Sequence, residues 1–411
     1  MVTVGDELLT GDTVDSNAAR VGRALGELGA PVVRRETVGD DAAAIRAAVG
    51  RALGEADLVV VTGGLGPTPD DLTREAVAAL LGVQLELDPD LAAALEARFR
   101  AAGYPHLPGR NLVQAMVPAG ARVLPNGRGT APGLALERAG HWVVLLPGIP
   151  RELEGMLAGP VRGCVLDVFG ARLRPPARRV IRTTGIAESR LAEWVEALLP
   201  AERRPVRLAY LSSLRGVDLH FTVPGGVAPD DAGAWLDRME SLLGDLAPYR
   251  YPGEDLVAAV ADALESSDRT LAVAESCTGG LLAKRLTDRP GSSRWFLGGV
   301  VAYSDAVKKE HLGVAAEVLA RFGAVSEEVA QAMASGAARV LGAGVGIAIT
   351  GIAGPAGGTA EKSVGTVWCA VSVGERSVVE KRTIPGDREA VRERAAQAAL
   401  HLCYRTLQEA G

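Results

Sequence analysis

A chain of 411 residues has room for two or three domains, and 48% apolar residues supply each with its own core. The formal net charge of −6 lacks the basic excess that drives nonspecific attachment to nucleic acid, although glycine loops and helix N-termini can still take small anions. Four scattered cysteines with no C-x-x-C pair exclude a zinc knuckle or a disulfide framework, and five histidines without an i, i+3 or i, i+4 pair argue against a zinc hydrolase or a histidine-based triad.

The N-terminus "MVTVGDELLTGDTVDSN" has neither a basic n-region nor a long apolar h-region, and no run reaches about 18 uninterrupted apolar residues. A cytoplasmic protein is expected, neither exported nor membrane-spanning. In "GDELLTGDTVDSNAARVGRAL" the acids Asp6, Glu7, Asp12 and Asp15 flank two glycines, and Ser16 or Asn17 can cap the helix that follows. "APVVRRETVG", "DDAAAIRAAVGRALGEA", "DLVVVTGG" and "DDLTREAVAALLG" then alternate strand and helix, which predicts a parallel sheet in an α/β layer. "HWVVLLPGIP" adds a last strand and "RELEGMLAGPV" a helix, closing a first domain over 1–170.

Residues 171–253 change character. "ARLRPPARRVIRTTG" is rich in arginine and proline and reads as a solvated linker. "AESRLAEWVEALL" has helical periodicity, and "RLAYLSSLRGVDLHFTV" reads as two paired strands about a glycine turn, so a small α+β module, KH-like in outline, is expected. "PYRYPGED" punctuates the chain ahead of a third domain over 254–411. Its order is helix, strand "TLAVAES", helix, strand "FLGGVVAYS", helix, three strands through "VGIAITGIAGP", "VGTVWCAVSVG" and "RSVVEKRTIPG", and a closing helix, an α/β sandwich.

Two stretches carry chemistry. In "TGGLGPTPDDLTREA" Gly63, Gly64 and Gly66 let backbone N–H groups approach an anion at a helix start. Asp70 or Asp71 is then either the N-cap of that helix or part of a divalent-cation site bridging ligand phosphates. In "LAVAESCTGGLLAKRL" a buried strand runs into Ser276, Cys277, Thr278, Gly279 and Gly280 at a helix start, where a helix cap and an oxyanion site are both open readings. "VVAYSDAVKKEHLG" brings Tyr303 and Lys308 after the next strand, and parallel neighbours deliver such ends to one side of a sheet. A serine without a histidine can use a desolvated lysine of lowered pKa as its base, so Ser276 with Lys308 is the leading pair. Tyr303 relays a proton or simply packs in the core; Cys277 is a rival nucleophile or a small buried hydrophobe. "ITGIAGPAGG" supplies Thr350 and Gly351, and Arg388 in a first helical turn makes sense if it holds a phosphate or carboxylate.

"VGDELLTGDTVDSNA", "GGLGPTPDDLT" and "LLPGIPRELEGML" resemble the N-terminal domain of the CinA family, related in fold to molybdopterin-binding domains. The first strand is shorter than that family's pattern. "AESCTGGLLA", "GGVVAYSDAVK", "ITGIAGPAGG" and "VGTVW…PGDREAVR" are similar to the family's C-terminal domain and to nicotinamide-nucleotide amidases, with Ser363 where proline is common, which predicts a looser strand entry. The resemblance implies a metal-dependent ADP-ribose pyrophosphatase over residues 1–170 using a magnesium- or cobalt-type ion. Gly63, Gly64, Gly66 and Asn17 would line its pocket, with Asp70, Asp71, Asp6 and Glu7 near the metal. For the C-terminal domain it implies a cofactor-free amidase that hydrolyses nicotinamide mononucleotide to the nicotinate nucleotide and ammonia, so that both activities recycle pyridine nucleotides. There Ser276 is nucleophile, Lys308 base, Tyr303 and Thr350 supporting hydrogen-bonders, and Gly279, Gly280, Gly351 and Arg388 substrate contacts. The partners implied are small nucleotides, and a homodimer is the expected assembly. The competing readings are a binding or scaffold protein linked to competence and DNA damage, and a molybdopterin-binding protein.

Overall fold

Short β-branched runs form the first sheet of the protein, a computed structural model that describes residues 1–200 and 205–410. Val2–Val4 (β1), Glu36–Val38 (β2) and Leu58–Thr62 (β3) lie parallel, with β1 between the other two. Leu85–Leu87 (β4) pairs with Met116–Pro118 (β5) outside this sheet. Arg122–Leu124 (β6), Gly133–Arg138 (β7) and His141–Leu146 (β8) complete it in the order β2-β1-β3-β8-β7-β6. The expected parallel sheet therefore holds from β2 to β8 and turns antiparallel at β7. The reason is the two-residue loop Ala139-Gly140, both with positive φ, which joins β7 to β8 as a tight hairpin whose twist matches the strands. The helix Ser16–Leu28 is capped by Asp15, whose side chain accepts from the Ala18 N–H, not by Ser16 or Asn17.

The chain divides into two compact units, Met1–Pro176 with Pro224–Gly226, and Ala177–Val223 with Val227–Gly411. In the second, the arginine-rich stretch expected to be a solvated linker contains a strand, Ala177–Thr183 (β9). It pairs with Gly216–Val223 (β11) and Arg250–Tyr251 (β12), and β11 pairs on its other side with Arg207–Ser213 (β10). Its arginines have distant partners: Arg179 meets Asp237 and Glu240, and Arg182 donates to the Gly253 carbonyl. Ile181 and Thr183 are buried on the face that Arg179 shares, opposite to Arg182, and Ile181 joins the module's core.

The remaining strands are Leu271–Glu275 (β13), Phe296–Val301 (β14), Val345–Gly351 (β15), Thr366–Val373 (β16) and Arg376–Thr383 (β17). They form a sheet ordered β14-β13-β15-β16-β17, with β13 parallel to both neighbours and β16 antiparallel to both β15 and β17. Strand alternation divides the core between the two faces. Leu271, Val273, Ile347, Ile349 and Val371 pack with the helices Leu256–Ser266 and Arg388–Ala410. Ala272, Ala274, Ala348 and Ala370 pack with the helix Glu327–Leu341. The second face carries small residues because that helix comes very close: a Cβ on Gly346 would lie 2.1 Å from the Ala334 carbonyl oxygen. Where one helix was expected between β14 and β15 there are three, Asp305–Leu312, Ala316–Phe322 and Glu327–Leu341, broken at Gly313 and Gly323 in positive φ. The entry to β16 is closed, with Thr366 donating to Ser363 and Gly365 to Ile352, so serine at 363 does not loosen it. Among the described residues no helix is long and apolar enough to cross a membrane.

Candidate functional site

The loop after β3 is built around one carboxylate. Asp71 accepts from the Gly66 N–H at 2.7 Å, the Thr68 N–H at 2.8 Å and the Thr68 hydroxyl. The helix behind it starts at Thr73 with no side-chain cap, so neither Asp70 nor Asp71 is the N-cap that the sequence suggested. Gly66 lends its N–H to Asp71, which leaves Gly64, Leu65 and Asp70 among the loop N–H groups without a hydrogen-bond partner among the described residues. Gly63 and Gly64 have left-handed φ of 102° and 65°, and a Cβ on Gly63 would strike the Val4 carbonyl oxygen. Asn17 reaches the same place: its Nδ2 donates to the Gly148 carbonyl at 2.6 Å, beside Gly63, and its Oδ1 is buried without a partner.

Two residues that the sequence reading passed over belong here. Arg74 is 1% exposed; Nη2 donates to the Leu65 carbonyl, while Nε and Nη1 have no hydrogen-bond partner among the described residues, Nη1 lying 3.9 Å from the Glu75 carboxylate. A buried guanidinium with idle donors under a glycine loop is a natural receptor for an anion. Asp40 exchanges hydrogen bonds with Asp6. Burial pushes its carboxyl above the usual range, and the charges of Asp6, Glu7 and Asp70 push it the same way. These four acids cluster, yet among the described residues no three His, Cys, Asp or Glu side chains are set to hold a metal ion, and Asp71 is engaged by the loop. Among the described residues no metal site made of protein ligands alone is preformed, so an ion here would need ligand phosphates as well.

The second site gathers at the ends of β13, β14 and β15. Ser276 extends β13: its N–H donates to Ile349 of β15 and the preceding carbonyl accepts from Ala302 beyond β14. Gly279 and Gly280, with φ of 59° and 92°, turn the chain back into the helix Leu281–Thr287, a conformation that favours glycine. The anion at that helix start is already supplied by the protein. Glu275, 1% exposed, accepts from the N–H groups of Gly280 at 3.0 Å, Leu282 at 3.0 Å and Ala283 at 2.7 Å. The helix terminus is thus engaged, and the N–H groups of Cys277 and Thr278 are those left without a protein partner among the described residues.

Lys308 is 1% exposed, and its Nζ reaches only the Tyr303 carbonyl at 3.4 Å and Asp305 at 3.5 Å. No hydrogen bond joins it to Ser276. Tyr303 is not core packing: it is 61% exposed, and its hydroxyl accepts from Arg388 Nη2 at 3.1 Å. Arg388 Nη1 donates to the Gly354 carbonyl at 2.7 Å, so one guanidinium joins the loops after β14 and β15. Thr350 is fully buried and its hydroxyl donates to the Ala324 carbonyl at 2.7 Å, a structural bond. Gly351 lies where a Cβ would come within 2.8 Å of the Thr366 carbonyl oxygen. Burial pushes the Cys277 thiol up to about 12, which makes it a poor nucleophile. Arg392, not anticipated, donates to the Thr278 carbonyl at 2.7 Å, and Thr278 Oγ1 is buried without a partner.

Together these features define an α/β protein with an anion-receptive loop in its first unit and a serine–lysine end of sheet in its second. Residues 1–163 match the family described as a probable molybdopterin binding domain, and residues 253–407 match the CinA C-terminal domain. A CinA-like protein of Gemmatimonas aurantiaca is 46% identical over 416 residues, covering 100% of this chain and 97% of its own. A CinA-like protein of an Anaeromyxobacter species is 43% identical over 405 residues, covering 98% of this chain and 97% of its own. Among solved structures, a Competence-Damaged Protein (CinA) Superfamily Protein of Klebsiella pneumoniae is 38% identical, covering 38% of this chain and 96% of that one, with a TM-score of 0.37. The chain belongs to the CinA family.

Proposed function

We propose that the C-terminal unit hydrolyses the carboxamide of nicotinamide mononucleotide, releasing ammonia. The observation that supports this reading is Lys308, an almost wholly buried lysine with two long contacts, on the helix that follows β14, the strand paired with the one that runs into Ser276. Lysine is rarely buried this way unless paired or functional. Lys308 takes the Ser276 proton as Oγ attacks the carboxamide carbon. The oxyanion is held by the N–H groups of Cys277 and Thr278. The C–N bond then breaks, the proton passes to the leaving nitrogen as ammonia, and water cleaves the acyl ester to the carboxylate and free Ser276. Arg388 holds the nucleotide phosphate, with Tyr303 orienting it. Ser276→Ala should abolish ammonia release from the mononucleotide, measured by product assay; retained turnover refutes the assignment.

A second reading concerns the first unit and rests on Arg74 and the carboxylate cluster. It takes a nucleotide phosphate at the Gly63–Gly66 loop and cleaves a pyrophosphate such as that of ADP-ribose. Magnesium-type ions are often held by one or two carboxylates together with substrate phosphates, and Asp6, Glu7, Asp40 and Asp70 have the chemistry for that role. AMP formation that survives chelation would count against it. A binding or scaffold role linked to competence and DNA damage predicts a salt-dependent mobility shift of DNA, against which stand the acidic balance and a middle module without a G-x-x-G loop. Molybdopterin binding by the first unit predicts co-purification of a fluorescent pterin.

A further inference from the structure

Within the second unit a cleft of about 540 Å³ lies between the Thr184–Glu188 and Ser212–Val217 segments of the middle module and the 382–401 stretch of the C-terminal sheet and helix. It is separate from the Ser276 turn, and the mechanism above uses none of its residues. Gln397 and His401 line it at 3% and 4% exposure, and the Nε2 atoms of both are buried without a hydrogen-bond partner among the described residues. The identity of the Gln397 amide atoms follows from its neighbour: Oε1 accepts from Arg285 Nη2 at 2.6 Å, which leaves Nε2 as an unused donor. His401 bonds the Pro248 backbone through its other ring nitrogen, so its Nε2 is an unused acceptor beside the unused Gln397 donor. Leaving such buried polar atoms unpaired costs about 1 to 3 kcal/mol each, so the pair suits an occupant. The charged lining is lopsided. Arg215, Arg382 and Arg394 face one acid, Glu188, which is engaged by the Ser212 hydroxyl. Arg382 is paired with Glu380, while Arg394 commits one nitrogen to the Pro385 carbonyl and Arg215 has a loose 3.8 Å contact with Glu393. On a chain of net charge −6 this is a locally cationic pocket.

We propose that this cleft binds a nucleoside monophosphate, its phosphate on Arg215 and Arg394 and the hydrogen-bonding edge of its base on Gln397 and His401. Two guanidiniums suit a phosphate. The volume falls in the range of pockets that bury a ring-bearing ligand, far more than phosphate alone requires, and Ile186, Leu214 and Ala398 give it apolar wall.

The test is site-resolved hydrogen exchange on the full chain, with AMP, UMP, inorganic phosphate or adenosine as probes. It needs no turnover, so its outcome is independent of the amidase reading. With AMP or UMP at ten times the dissociation constant, exchange at 184–188 and 212–217 should slow by about tenfold. The slowing should disappear in Arg215→Glu, a change at a half-exposed turn residue that leaves the fold intact, and in Gln397→Leu. No slowing with either nucleotide overturns the proposal. Equal slowing by phosphate or by adenosine alone, or slowing that persists in Arg215→Glu, overturns it as well.

Discussion

Glu275 closes the turn that carries Ser276 by taking the Ala283 N–H at 2.7 Å, together with those of Gly280 and Leu282. One buried carboxylate thus ties the end of the central strand to the start of the next helix, and the helix terminus has its anion built in. Hydrogen bonds to a charged group contribute about 1.5 to 3 kcal/mol each. Glu275→Gln keeps the shape but removes the charge and opposes an amide NH2 to backbone N–H groups. It should lower the denaturation free energy of this unit by about 2 to 4 kcal/mol, read from urea unfolding. An unchanged midpoint would show that the turn is held elsewhere.

Arg388 joins Tyr303 to Gly354, and both contacts use the forked guanidinium. A lysine ammonium lacks the planar fork that spans the two acceptors from separate nitrogens. Arg388→Lys should therefore raise KM for the mononucleotide about tenfold while kcat changes much less, and Arg388→Ala should raise KM further. Initial-rate kinetics separate the two constants; a loss confined to kcat would place Arg388 in the chemical step instead.

The strand and glycine pair around Ser276 were legible because alternation and left-handed turns are written locally, in "LAVAE" and "GG". The same holds for the hairpin at Ser213–Gly216. What escaped depends on partners far along the chain. The arginines of β9 read as a linker because Asp237 and Glu240 lie about sixty residues away. Glu275 looked like the ordinary end of a strand because its role exists only after Gly279 and Gly280 reverse the backbone. Adjacency in sequence suggests Asp70 or Asp71 as helix cap or cation ligand, but the helix begins at Thr73 without a side-chain cap and the Asp71 carboxylate turns back into its own loop. Thr350 was set at the site by its strand-end position, yet strand parity puts its hydroxyl on the Ala324 carbonyl.

Cys277 offers a direct test of which neighbour is the nucleophile. With its thiol pushed up to about 12, its thiolate fraction at pH 8 is on the order of one in ten thousand, against roughly a quarter for a free cysteine. Cys277→Ala should retain ammonia release, and native protein should resist iodoacetamide at this position at pH 8, read by peptide mass analysis. Rapid alkylation with parallel loss of activity would reverse the assignment.

Asp71 holds three donors of its loop, and Asp71→Ala should free the Gly66 and Thr68 N–H groups and disorder the segment between β3 and the next helix. The expected result is a weakening of phosphate-ligand binding to the first unit with the ammonia-releasing activity unchanged. Asp71→Asn, which keeps one acceptor oxygen, should fall between the two. Titration of AMP binding to each variant checks the order.

His401 makes the second unit sensitive to acid. Burial, then the nearby charges of Arg405 and Arg382, lower its pKa to about 4, with Glu380 opposing. The unfolded chain, with a histidine near the ordinary value of about 6.5, binds the proton first as pH falls. Between those two values the unfolded state carries more protons than the folded one, so stability rises with pH across this window and is lost as pH drops from 6.5 toward 4. The full shift corresponds to about 3 kcal/mol, and roughly 2 kcal/mol of that is lost between pH 7 and pH 5. His401→Gln cannot charge, so its urea midpoint should fall less than that of the native chain over the same interval. Equal slopes in the two proteins would mean that His401 titrates normally in the fold.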